Sequence, residues 1–226
     1  TTTLTGDFNA PTNLNNSFAS TGIVGLSSIN VTSTTAGGEN TVAEVNNITG
    51  KTTGVVTATI SNTTIADLKG LTDSGNALTI TVKSGSVNAA DLNVLDGKTT
   101  VAVTVDSGTI TGALSDVKAA YDANVAGTIT GLGNEVVALS DSGSILASDL
   151  DALNLLTSGV ITANSVTAVS GSLADLIKVY SPNTAAGVIA GLGNEVVTIT
   201  DTGEVSAADL NTLNSLWPQL FSLNLD

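Results

Sequence analysis

The chain has 226 residues, 20 of them acidic, six of them lysine and none of them arginine, histidine, cysteine or methionine, for a formal net charge of −14. Without Cys or His, zinc, haem, iron–sulfur and copper centres lose their usual ligands, and Ser-His-Asp or Cys-His catalysis loses its base. Six scattered lysines cannot neutralise a phosphate backbone or an anionic bilayer surface, so nucleic acid and membrane are poor partners, and no apolar run approaches the length of a span.

Residues 1–20 form a polar segment rich in Thr and Asn that carries Phe8 and Phe18. It reads as an N-terminal cap or as a strand that joins one subunit to the next. Residues 21–50 read as one or more atypical coils. Their pieces GIVGLSSINV and TVAEVNNI look strand-like and carry no clear helix pattern.

Residues 51–214 are organised by a repeat, the first thing to look for in such a chain. GLGNEVV occurs at 131–137 and again at 191–197. ALSDSGSILASDLDALN follows the first copy and TITDTGEVSAADLNTLN the second, and KSGSVNAADLNVLD at 83–96 is a shorter relative. Between them lies a second related set: TISNTTIADLKGL (59–71), TITGALSDVKAAY (109–121) and AVSGSLADLIKVY (168–180). Each half-repeat runs from a Val/Ile/Thr-rich strand such as GVVTATI, ALTITV or GVITANSVTAV, through a Gly turn, to a short helix. Pairs such as Leu92 with Leu95, Leu150 with Leu153 and Leu210 with Leu213 put leucine on one helix face. The predicted fold is mainly β with short helices. It is a single-stranded parallel β-solenoid, right-handed by the crossover rule, with one short helix per coil. Residues 215–226, SLWPQLFSLNLD, form an apolar C-terminal cap or joint holding Trp217 and Phe221.

Most carboxylates have a local structural explanation. The six repeat-marking aspartates are Asp67, Asp91, Asp116, Asp149, Asp175 and Asp209. Four of them follow a Ser, Thr or Asn by three residues (Thr64, Asn88, Ser172 and Ser206), a capping-box spacing. Asp73, Asp96, Asp106, Asp141 and Asp201 lie in Gly turns, leaving Asp7, Asp122, Asp151 and Asp226 without an assignment. Glu135 and Glu195 recur in the GLGNE copies and are expected to satisfy backbone donors at a turn. A catalytic pair there is weakly supported, since equivalent carboxylates in repeats look structural. Asp141 and Asp201 are the candidates for calcium, which has neither an EF-hand loop nor a calcium nonapeptide here. No other cofactor is indicated.

GLGNEVV, SAADLNTLN and TSGVITANSVTAVSGSLADL resemble the repeats of very large secreted or cell-surface proteins of cyanobacteria and related marine bacteria. The resemblance covers about residues 51–214 and is best over 97–214. It implies an extracellular, repetitive, structural or adhesive role and transfers no catalytic residues.

The expected function is therefore that of an extracellular structural protein, not an enzyme, that self-associates head to tail into a filament or surface layer. Its terminal segments would make the joint, with Phe8, Phe18, Trp217 and Phe221 as interface candidates. Deleting residues 1–20 would then abolish assembly and leave the repeat folded. The alternative is a monomeric adhesin for glycan or another surface, calcium-dependent in one version. Ice binding is a minor alternative, because TATI, TITV, VAVTV, VVALS and VVTIT share no single Thr-x-Thr register. The chain opens on Thr1, which predicts a processed chain or a piece of a longer one. The lack of Cys and the abundance of Thr, Ser, Asn and Gly fit an extracellular or cell-surface location.

Overall fold

The computed structural model of the chain describes residues 2–8, 14–35, 39–61, 63–181, 188–216 and 223–225. Its contacts divide the chain into two compact units: Thr1–Gly85 with Asp91–Ser107 and Ala123–Gly131, and Ser86–Ala90 with Gly108–Asp122 and Leu132–Asp226.

In chain order the elements begin with β1 (Thr3–Gly6), α1 (Leu14–Ala19), a short 3-10 turn at Leu26–Ser28, β2 (Asn30–Ser33), β3 (Glu39–Asn40) and α2 (Val42–Thr49). They continue with β4 (Val56–Ile60), α3 (Ile65–Leu68), β5 (Ala77–Thr79), β6 (Thr81–Ser84), β7 (Val87–Asn88), α4 (Ala89–Asp96), β8 (Val103–Ser107), β9 (Thr109–Gly112) and α5 (Leu114–Ala126). The GLGNE copies then introduce two similar series. The first is β10 (Ile129–Thr130), β11 (Val136–Leu139), β12 (Ser144–Leu146), α6 (Ala147–Asn154), β13 (Ile161–Thr162), β14 (Ala168–Gly171) and α7 (Leu173–Tyr180). The second is β15 (Ile189–Ala190), β16 (Val196–Ile199), α8 (Ala207–Leu216) and β17 (Leu223–Leu225).

The first unit holds a sheet ordered β1-β2-β4-β3, with β5 also on β4, and a sheet ordered β10-β8-β6. The second unit holds β15-β13-β11-β9-β7 and β12-β14-β16-β17. Every strand pairing is parallel, and partners lie from 20 residues apart (Thr57 with Ala77) to 28 (Ile161 with Ile189). Parallel neighbours cannot be joined by a tight hairpin, so the chain between them crosses over, usually through a helix.

The fold is mixed α/β and not mainly β. Strands run only two to five residues, whereas α5 has 13. The long apolar runs are broken at bends that the sequence does not mark. ALTITV splits into β5 and β6, and GVITANSVTAV into β13 and β14, with the two halves of each run in different sheets. The alternation of inward and outward residues continues through the bend at Ile80, which is itself buried, so the periodicity hides it.

The sequence repeat is also a repeat of pairing. Val103 opposite Ile129 recurs as Ile161 opposite Ile189, and Ile110 opposite Val137 recurs as Val169 opposite Val197. The core is mostly aliphatic, with Phe8 and Tyr121 as its buried aromatics: Val56, Ala58 and Ile60 of β4 point inward while Thr57 is exposed, and Leu92, Leu95, Leu150, Leu153 and Leu213 are buried. Leu210 is only half-buried.

Helix starts follow the capping chemistry. Thr64, Ser172 and Ser206 each accept the amide of the aspartate three residues on, at 3.2, 3.1 and 3.3 Å. Asn88 accepts from the Ala90 amide at 3.0 Å. The Ser172 hydroxyl, and after it Lys178, hold the Asp175 carboxyl below the usual range. TVAEVNNI is corrected from strand-like to helix. Its Val and Ile suggest a strand, but Thr41 and Glu44 form a complete capping box at the start of α2.

Candidate functional site

The most conspicuous polar constellation of the second unit is the loop GLGNE, built twice. Glu135 is only 5 % exposed, and its Oε2 accepts from the amides of Gly133 (2.8 Å) and Asn134 (3.2 Å) and from the Tyr121 hydroxyl (3.0 Å). Glu195 has the same three donors, its Oε2 accepting from Gly193 (2.6 Å) and Asn194 (2.9 Å) and its Oε1 from the Tyr180 hydroxyl. The loop needs glycine before the Asn-Glu pair: Gly133 and Gly193 have φ of 151° and 138°, which turns successive N–H groups toward one carboxylate. The tyrosines stand at equivalent places on α5 and α7, so each carboxylate ties a helix to the turn that feeds the next strand. The expected satisfaction of backbone donors is found, and the tyrosine is a further partner whose one sequence signal is that Tyr121 and Tyr180 end the related segments TITGALSDVKAAY and AVSGSLADLIKVY. Tyr and Glu are 14 and 15 residues apart in the two copies, beyond any local spacing rule.

Burial raises the pKa of both phenols well above the ordinary tyrosine value, and the adjacent carboxylates add to it. For Tyr121 the Thr157 hydroxyl opposes the shift. A pKa raised in the folded state gives stability that is complete below the unfolded value near pH 10 and is lost as pH rises toward the folded value. These are the only two tyrosines of the chain. Tyrosinate absorbance in an alkaline titration is therefore expected to stay flat past about pH 10 and to rise only together with loss of helical circular dichroism. Ionisation of either tyrosine near pH 10, with the fold intact, would contradict this geometry.

Asp141 and Asp201 also occupy matching positions, and each reaches back to an earlier helix. Asp141 Oδ2 accepts the amide of Leu114, the first residue of α5, at 2.8 Å; Asp201 Oδ2 accepts that of Leu173, the first residue of α7, at 2.6 Å. A carboxylate on a first-turn amide satisfies an orphan donor and complements the helix dipole. For α5 this supplies the cap that Ala113 cannot. The two calcium candidates are thus accounted for as long-range helix caps, and among the described residues no group of three or more acidic side chains is placed to hold a metal ion. Of the unassigned aspartates, Asp122 pairs with Lys118 (2.7 Å), Asp151 with Lys178 (3.4 Å), and Asp7 accepts from the Thr35 hydroxyl (3.1 Å); Asp226 lies outside the described residues.

The aromatic interface candidates separate. Phe8 is 2 % exposed, as is Leu14, and the Phe8 amide bonds Thr35 Oγ1 at 3.2 Å. It is a core residue and not an interface anchor. Residues 1–20 thus contribute Phe8 and Leu14 to the core, and their deletion is expected to lower the stability of the first unit. Phe18 is half-buried. Trp217 and Phe221 lie outside the described residues. What β1 and β17 share is strand position: among the described residues each is the outermost strand of its sheet, β1 pairing only with β2 and β17 only with β16.

Asn154, at the end of α6, is fully buried, with neither amide atom bonded. The repeat explains the loss. Its counterpart Asp96 accepts from the Thr128 hydroxyl at 2.9 Å, and the residue corresponding to Thr128 in the second copy is Val188.

Among the described residues, no helix is long and apolar enough to cross a membrane. Compared with family models, with curated proteins and with solved structures, the chain matches none.

Proposed function

We propose that this chain is an extracellular structural repeat protein, a right-handed parallel β-solenoid, that self-associates head to tail into a filament or surface layer. The observation that carries the reading is the edge position of the first and last described strands, β1 and β17. An outermost strand presents a row of unpaired N–H and C=O groups, a template for another chain. Strand addition across such edges joins copies through main-chain bonds. A head-to-tail contact that does not close on itself grows a fibre. The parallel pairing at separations of 20 to 28 residues supports the solenoid, since one coil of chain returns each strand beside the last. Trp217 and Phe221 are the proposed aromatic anchors of the joint.

The test is a substitution on the free edge of β1. Gly6 O accepts from Thr34 N at 2.9 Å, on the β2 side. Alternation along the strand turns the backbone groups of Thr3 and Thr5 the other way. Thr5→Pro removes an outward N–H and is tolerated on an edge strand. In sedimentation, the wild-type chain is expected to form polymers and Thr5→Pro to remain monomeric with an unchanged melting curve. Polymers of equal length from the variant would remove β1 from the joint.

A further inference from the structure

The first unit carries a hollow of about 520 Å³ between the loop after α2 and the loop after α3. A smaller hollow of about 180 Å³ lies between the loop after α4 and the turn after α5. The two share a wall: Asn76, in the larger, accepts on its carbonyl from the Thr100 amide (2.9 Å) and the Thr99 and Thr100 hydroxyls (3.3 and 3.2 Å), in the smaller. Each contains one carboxylate. Asp73 is exposed but oriented, accepting from the Ser74 amide at 2.9 Å and from the Asn76 side chain at 3.1 Å. Asp96 accepts from the Thr128 hydroxyl at 2.9 Å.

We infer that these adjoining hollows form one groove for a neutral polysaccharide, with Asp73 as its principal hydrogen-bond acceptor. Hydroxyls, amides and glycine backbone line most of the groove, with Val55 in the larger hollow and Val101 and Ala102 in the smaller and no aromatic ring in either, so it suits a ligand rich in hydroxyl groups that also presents small aliphatic C–H surface. Two carboxylates on a chain of net charge −14 repel phosphorylated, sulfated or uronic chains. The larger hollow is an open depression whose volume is that of a small-ligand site, and the second continues along the successive loops, as a chain of repeating units requires. A carboxylate already held by two donors loses little freedom on accepting hydroxyls. The inference is independent of the assembly reading: a chain that polymerises through its ends could bind with this groove or not.

The experiment is calorimetric titration of the whole chain with maltohexaose, cellohexaose and mannohexaose, and with sulfated dextran for comparison. Saturable binding of at least one neutral oligosaccharide, and none of the sulfated polymer, is expected. Asp73→Asn should weaken that binding about tenfold or more, since it replaces an ionised acceptor. Ser74→Trp, which fills the larger hollow from an exposed position, should abolish it. Asp122→Ala, in the second unit, should leave it unchanged. Melting curves matching wild type tie the losses to the groove. Failure of every neutral probe overturns the inference. Binding that Asp73→Asn and Ser74→Trp both leave intact places the glycan elsewhere and overturns this site. Preference for the sulfated polymer overturns the ligand class.

Discussion

Replacing Glu135 by alanine is expected to lower the unfolding free energy by about 3–5 kcal/mol. The side chain is 5 % exposed and serves three donors at once, the amides of Gly133 and Asn134 and the Tyr121 hydroxyl. Alanine leaves all three without that acceptor, the Tyr121 hydroxyl in a buried place and the two amides in part-buried ones. The turn held by a φ of 151° at Gly133 then loses the carboxylate that stabilises it. The fitting comparison is Asp122→Ala, which removes an exposed carboxylate bonded only to Lys118 within its own helix and should cost under about 1 kcal/mol. Urea unfolding of the two variants separates them directly. A Glu135→Ala midpoint close to that of Asp122→Ala would mean that the Tyr–Glu–Gly clamp does not hold α5 to its turn.

Gly159→Ala should be comparably severe, by a different route. A Cβ at Gly159 would stand 1.8 Å from the Glu135 carbonyl oxygen and 2.7 Å from its carbon, both backbone atoms of the neighbouring coil. The loop cannot back away easily, because the Gly159 amide bonds Thr157 Oγ1 (2.9 Å) and the Ser158 amide bonds Gly133 O (2.8 Å). Relieving the overlap means separating two strands that pair at Val137 and Ile161, at a cost of about 3 kcal/mol or more. Gly143→Ala provides the contrast. Nothing lies within 4 Å of its Cβ, and the loss of chain freedom in the unfolded state should make it neutral or slightly stabilising. Thermal unfolding that ranks Gly159→Ala no worse than Gly143→Ala would contradict the close approach.

These two residues also mark what could be read from the sequence and what could not. GLGNE announced itself by recurring, and a turn glutamate that satisfies backbone donors follows from its short-range chemistry. The caps at Thr64, Ser172 and Ser206 were legible for the same reason, being decided within three residues. The Tyr121–Glu135 and Asp141–Leu114 bonds were not, because the partners meet only after the chain has passed through a helix or a full coil. Gly159 opens the strand run GVITANSVTAV with nothing local to set it apart; its constraint is a carbonyl 24 residues earlier. The strand count failed at Ile80, where the inward-outward pattern runs unbroken through a corner. TVAEVNNI failed because β-branched residues outweighed the capping box at Thr41 and Glu44, which was present in the sequence and is what starts α2. Phe8 was assigned by its place near a terminus, and place in the chain does not determine burial.

The measurement that bears most directly on the proposed role is negative-stain electron microscopy of the purified wild-type chain across a range of concentration and salt. Copies carrying −14 repel each other at low ionic strength, so assembly should strengthen as salt screens the charge. Regular fibres that lengthen with concentration are the predicted result. Dispersed single molecules at every concentration and salt would contradict it, leaving β1 and β17 as plain ends of the fold.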